Sequence, residues 1–281
     1  MQEFKERLSF SFSLLKNKKL WIPDIILVLI TLILTFLLVY INNLSHIFNI
    51  NSFDLIKAEF TKIMNNTPDL IKLMITSLIA ILISLLAGIS LIATKYTLIK
   101  ETIANKKFKL KEIIKQSKKF IPGLIKLKIC IIILYLIPLL IVGYLAFFKS
   151  LELISTLIII LLFLFYSLAF LFIDPILFYG EKRTFKILKQ SYLIFKKTPK
   201  KTIIILIILG IISLLGISLI SLYSYIKEDL TPQLTSTFLI YTFITFHFIL
   251  RLLITVGTSL TKDIFIFKNY NDIKDLILKN P

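Results

Sequence analysis

A single cysteine, Cys130, excludes an internal disulfide and any metal set built from thiolates. The seven glycines are scattered and form no phosphate-binding loop. Neither H-E-x-x-H nor G-x-S-x-G occurs, and no run of acids suits a divalent metal. The two histidines, His46 and His247, fall at different sides or depths of the topology read below, so they cannot readily share a site. These gaps leave no recognisable catalytic machinery. The expectation is a protein that is not an enzyme and carries no cofactor or metal.

Acids are also scarce, with 16 Asp and Glu against 34 Lys and Arg and a net charge of +18. A nucleic-acid partner does not follow from that excess, because the basic residues are spread over segments bordering long apolar runs and no binding-module motif accompanies them. What the sequence has in plenty is apolar residues: 57% of the chain, including 24 Phe, with a mean hydropathy of +0.88. A soluble domain cannot hide so much.

Six stretches have the length needed to cross about 30 Å of hydrocarbon as a helix. They are Ile25 to Ile41, Lys72 to Ala93, Ile129 to Phe148, Leu153 to Ile173, Thr202 to Tyr223 and Phe238 to Leu260. Runs such as "LISTLIIILLFLFYSLAFLFI" are apolar on every face, whereas barrel strands would alternate. Helices remain as the way to satisfy the backbone in lipid. The first span follows Lys16, Lys18 and Lys19 but ends in "YINN", with no small-residue cleavage site, so it reads as an uncleaved anchor.

Lysine placement gives the orientation. With the amino terminus inside, 28 of the 34 basic residues face the cytoplasm, five lie outside and Arg251 lies within a span. This bias places both termini in the cytoplasm of a cell bounded by this membrane.

The phrase "IIKQS" at Ile113–Ser117 returns as "ILKQS" at Ile187–Ser191. In the first copy Leu110, Ile113, Ile114, Ser117, Phe120 and Ile121 keep to one helical face, and Lys109, Lys111, Lys115, Lys118 and Lys119 take the rest. In the second, Phe185, Leu188, Tyr192 and Phe195 oppose Lys182, Arg183, Lys186, Lys189, Lys196 and Lys197. A third version opens the chain with Phe4, Leu8, Phe12 and Leu15. Each basic amphipathic helix precedes an odd-numbered span. The expected architecture is therefore an all-α integral membrane bundle of six helices in three hairpins, each preceded by an interfacial basic helix, forming one polytopic domain over 1–281. The repeat units run over 1–94, 95–176 and 177–262, and a cytoplasmic tail over 263–281.

Lysines beside an anionic leaflet add on the order of 1 kcal/mol each, and the apolar side of such a helix sinks about 5–10 Å. Lys111, Lys115, Gln116, Ser117 and Lys118, with Lys186, Lys189, Gln190 and Ser191, form the candidate face for anionic lipids or a protein partner. Gln and Ser can bond headgroups or the exposed carbonyls of a neighbouring span. A homo-oligomer is an open alternative.

The stretch "FIDPILFYGEKRTFKILKQSYLIFKKTPKK", Phe172 to Lys201, places a Pro at a span end, then a glutamate, then a basic helix carrying Ser before a new span. It resembles the polytopic membrane domain attached to some glycerophosphodiester phosphodiesterases and that domain's stand-alone relatives. Lys186 and Ile187 stand where family members often carry Ala, and no phosphodiesterase domain is present. The resemblance thus implies a membrane module and does not extend to hydrolysis.

Two further features concern the spans. His247, Arg251 and Thr255 lie on one side of the last span, and an arginine there needs a partner or water, with Asp174 the acid nearest its expected depth. A transporter or permease subunit built around this stripe is the rival to a non-catalytic module. In the second span Ser77, Ala80, Ser84 and Gly88 form a small-residue face suited to close helix packing. The outer loop carries Phe53, Ile56, Phe60 and Ile63 at helical spacing, which predicts a short surface helix.

Overall fold

The computed structural model describes residues 2–44, 61, 65–106, 108–146, 152–230 and 237–278, with the side chains of 137, 141–146, 152–156, 222–230, 237–248 and 275–278 outside that description. The expected outer-loop helix and His46 lie outside it too. Among the described residues the chain is helical and without strands. The helices are α1 (Gln2–Leu14), α2 (Ile22–Ile41), α3 (Thr67–Ile103), α4 (Leu110–Ser117), α5 (Ile121–Ala146), α6 (Glu152–Ala169), α7 (Ile173–Tyr179), α8 (Thr184–Lys197), α9 (Pro199–Leu230) and α10 (Thr237–Leu278), with a 3₁₀ turn at Lys18–Leu20.

Among the described residues, five helical stretches are long and apolar enough to cross a membrane: Lys18–Ile41, Thr67–Ile103, Ile121–Leu140, Leu157–Tyr179 and Pro199–Ser221. The chain therefore reads as a multi-pass membrane protein. The sixth expected span falls within α10, where the side chains up to 248 are not described. Side-chain exposure agrees with a lipid environment, since Phe36, Met74, Leu86, Leu140, Phe163 and Leu214 are all more than half exposed on helices without a polar face.

The chain divides into two compact units, Ile22–Ile92 and Met1–Trp21 with Ala93–Pro281. In the smaller unit Asn42 Nδ2 donates to Thr76 Oγ1 at 2.9 Å, joining α2 to α3. Gly88 faces Leu27, whose Cδ1 would lie 3.8 Å from a Cβ at that glycine.

The core of the larger unit sits at one end of the helices, the end that carries the lysines. There the helices run well past the expected limits of the spans: α3 continues to Ile103, and α10 runs as helix through most of the expected tail to Leu278. The reason is visible in the burial pattern. Leu98, Ile99 and Ile103 on α3, and Ile264, Phe265, Phe267 and Ile273 on α10, keep an inward apolar stripe going although the surrounding residues have become charged. At the centre three rings meet, one from each of three helices. Tyr96 of α3 lies 5.4 Å from Phe178 of α7 and 5.1 Å from Phe267 of α10, and Phe178 lies 6.3 Å from Phe267. Each such pair adds about 0.5–1.5 kcal/mol beyond its buried area.

The fourth expected span is broken. Pro175 stands in the first turn of α7 and has no N–H to offer a carbonyl one turn back, so α6 cannot run straight into α7 and the chain turns at 170–172. The far end of α7 closes on Gly180, whose φ of 131° is a conformation that L side chains rarely adopt. There the Gly180 N–H donates to Leu177 O and the Glu181 N–H to Ile176 O, both at 3.3 Å.

Helices α9 and α10 lie close together at Gly216, where an added Cβ would lie 2.8 Å from Thr258 Cγ2. Gly216→Ala is therefore expected to destabilise by about 1–3 kcal/mol in a detergent unfolding titration. Gly210→Ala, on the same helix with nothing within 4 Å, should hold or raise the midpoint, because alanine favours helix over glycine. Equal midpoints for the two variants would contradict the close approach.

Candidate functional site

The second copy of the repeated phrase forms α8, and its sides divide into three. Ile187, Ser191 and Ile194 are buried, at positions i, i+4 and i+7. Lys186, Lys189, Lys196 and Lys197 are exposed. Between these sectors run Phe185, Leu188, Tyr192 and Phe195, of which Phe185 is 82% and Tyr192 41% exposed and the other two half-buried. The apolar side expected from the sequence is thus present but does not face the protein.

Ser191 occupies the break in the fourth span. Its hydroxyl donates to Ala169 O at 2.7 Å and accepts from the Phe172 N–H at 3.3 Å. These are two backbone groups that the interruption between α6 and α7 would otherwise leave buried without partners. The first copy does something similar. Ser117 of α4 is 2% exposed; its hydroxyl bonds Ile114 O at 2.9 Å and shares a 3.2 Å bond with Thr94 Oγ1 of α3. Each serine thus bonds an earlier segment of the chain, Ser117 the end of α3 and Ser191 the turn between α6 and α7. The structure turns both inward, so the expected lipid or partner face keeps Lys111, Lys115, Gln116, Lys118, Lys186 and Lys189 as exposed groups, with Gln190 half-buried, and loses its two serines.

The amino-terminal helix shows what the sequence reading missed. Ser11 of α1 is fully buried and donates to Arg7 O at 2.9 Å. Arg7, Leu8 and Ser11 have the spacing of Ile113, Ile114 and Ser117 and of Ile187, Leu188 and Ser191, a register that could have been found by aligning on serine rather than on the aromatic residues. Where the other two copies put isoleucine against the preceding helix, α1 puts Arg7 against α10. Its guanidinium donates to Asn269 Oδ1 at 2.7 Å and lies 3.0 Å from Asp272 and 3.3 Å from Glu3. Asn269 is fully buried and its amide also donates to Phe265 O at 2.8 Å. Trp21 completes this joint, its Nε1 donating to Leu15 O at 2.8 Å and its ring lying over Gly257. The first helix of the chain therefore docks on the last.

Acids at this end of the bundle are engaged by bases. Lys95 Nζ lies 2.6 Å from Asp263, with both side chains largely buried, and 3.3 Å from Ser259 Oγ. Lys128 Nζ reaches both oxygens of Asp174, at 3.1 and 3.2 Å. Asp174, expected as the acid nearest in depth to Arg251, is paired with Lys128. The reason is geometric: Asp174 opens α7 beside α5, and α5 extends as helix far enough to present Lys128 there. Arg251 is exposed, and among the described residues no carboxylate pairs with it. Thr255 Oγ1 donates to Arg251 O at 2.8 Å, a bond within its own helix. The side chain of His247 lies outside the described residues.

Glu181 orders the start of α8. One carboxylate oxygen accepts the N–H groups of Lys182 and Arg183, each at 3.0 Å, and the other lies 2.9 Å from Lys186 Nζ. The Lys186 hydrogen bond first, and then the Arg183 N–H, hold this carboxyl below the usual glutamate range. Burial pushes the Tyr270 phenol up to about 12. No group of three or more His, Cys, Asp and Glu suited to a metal ion occurs among the described residues.

Of the small residues in the second span, Ser77, Ala80 and Ser84 are half-buried and line an open groove of about 610 Å³ that faces Thr31 and Thr35 of α2, while Gly88 is buried. They therefore face α2 without closing on it. No protein-family model matches the chain, and neither a curated protein nor a solved structure matches it.

Proposed function

We propose that the chain is a six-span protein of the cytoplasmic membrane, with both termini in the cytoplasm, acting as a non-catalytic module whose basic face engages anionic lipid. The observation that carries this reading is an imbalance at one end of the bundle. Asp174, Asp263, Asp272 and Glu181 are each held by a lysine or arginine of the protein, whereas Lys111, Lys115, Lys118, Lys119, Lys189 and Lys196 are exposed. The excess positive charge is thus presented outward on short helices bordering the spans, where an anionic leaflet attracts it. The likeness of Phe172–Lys201 to the membrane domain of the phosphodiesterases is compatible with this role but does not carry it.

The test is lipid selection by the purified protein. Extracted gently and analysed by mass spectrometry, it should carry phosphatidylglycerol enriched over the bulk membrane. With Lys111, Lys115, Lys186 and Lys189 all changed to Gln, enrichment should fall by roughly tenfold or more, from about 1 kcal/mol per lysine. Bulk composition in both proteins would end the proposal. Impermeant labelling that reaches Lys118 or Lys197 from outside the cell would overturn the orientation.

A further inference from the structure

We infer that α8 is a membrane-inserted helix whose Phe185–Tyr192 edge is covered by the acyl chains of the leaflet it borders. The inference rests on the reading above for the side of the membrane involved, and it names a surface and an occupant which that reading leaves open.

The three sectors of α8 supply the first step. The residues of α8 that are fully buried are Ile187, Ser191 and Ile194. A second apolar sector, Phe185, Leu188, Tyr192 and Phe195, remains between that packed side and the lysines, with Phe185 82% exposed. A helix lying in water would need one apolar side; this one has two. The second is what an interfacial helix turns toward hydrocarbon, with lysines rising beside it to the phosphates.

Continuity identifies the occupant. The Tyr192 ring lies 6.4 Å from Phe195, and Phe195 lies 6.3 Å from Phe165 on α6. Phe165 is 46% exposed and is flanked by Phe163 at 61% and Leu164 at 49%, within a stretch long and apolar enough to cross a membrane. The aromatic strip of α8 is therefore an extension of a surface that already faces lipid. Lys189 and Lys196 lie exposed at its border, which suits the anionic headgroups above the same chains.

The other two copies sharpen the assignment. At the registers of Phe185 and Tyr192, α4 has Lys111 and Lys118, and keeps only Ile114 exposed in this sector, at 49%. At the same registers α1 has Lys5 and Phe12, the latter 49% exposed. Insertion depth should thus fall in the order α8, α1, α4. The helix with the aromatic edge goes in, and the helix with lysines in that edge stays among the headgroups.

Tryptophan emission tests this in the full chain reconstituted into phosphatidylcholine vesicles brominated on their acyl chains, with and without phosphatidylglycerol. The unsubstituted protein, whose one tryptophan is Trp21, provides the baseline. Phe185→Trp should add blue-shifted emission that loses most of its intensity to bromine, more strongly for bromine near the glycerol end of the chain, as a depth of about 5–10 Å requires. Lys118→Trp should add emission that is red-shifted and little quenched. If Phe185→Trp does not fold, Tyr192→Trp reads the same edge. Water-like, unquenched emission at both positions of α8, or equal quenching at Lys118→Trp, overturns the inference. Quenching that is the same with and without phosphatidylglycerol supports insertion; loss of anionic-lipid enrichment in the separate lipid analysis would then remove the earlier reading alone.

Discussion

Ser191→Ala is expected to cost the folded protein about 2–6 kcal/mol, because it strips partners from two buried backbone groups at once, at about 1–3 kcal/mol each. The hydroxyl is fully buried and joins Ala169 O to the Phe172 N–H across a turn that Pro175 forces on the chain. Neither backbone group has a helical partner available at the break, and lipid offers none. Gln190→Ala removes a larger polar side chain from the next position but should change stability by no more than about 0.5 kcal/mol. Ser117→Ala should fall between them, since Ser117 bonds a carbonyl of its own helix and a hydroxyl rather than a broken backbone. Equilibrium unfolding in mixed micelles gives all three values. If Ser191→Ala unfolded with Gln190→Ala, the serine would not be holding the break.

The comparison also explains why the sequence repeats its phrase. Periodicity and long apolar runs were enough to read the helices, five stretches able to span and the short basic helices, because each of those depends on residue type at fixed spacing. The inward side of α8 was not readable that way. Phe185, Leu188, Tyr192 and Phe195 outweigh Ile187, Ser191 and Ile194 in apolar bulk, so a hydrophobicity pattern points to the side that faces away from the protein. In a soluble protein the larger apolar side would be the packed one; beside a membrane two apolar environments compete, and pattern alone does not distinguish them. The same ambiguity hid Ser11, set among the aromatic residues of α1. Ion pairing was opaque for a different reason. Lys95 and Asp263 are far apart in the chain, and Lys95 looked like one more cation at a span end until α3 and α10 were brought together at Tyr96 and Phe267.

That ion pair gives the second large effect. Lys95 is 4% exposed, and its Nζ lies 2.6 Å from Asp263. Removing one partner leaves the other charge in a site of low polarity, which typically costs about 3–5 kcal/mol. Lys95→Met and Asp263→Leu should each show a loss of that order in micellar unfolding. The double variant should regain most of it, because two apolar side chains of similar volume leave no charge to solvate. A structural module tolerates that exchange: the double variant should fold and keep its phosphatidylglycerol enrichment, since neither residue belongs to the exposed basic face. Folding restored together with lost lipid enrichment would mean that the buried pair, and not the outward lysines, is what the lipid reads.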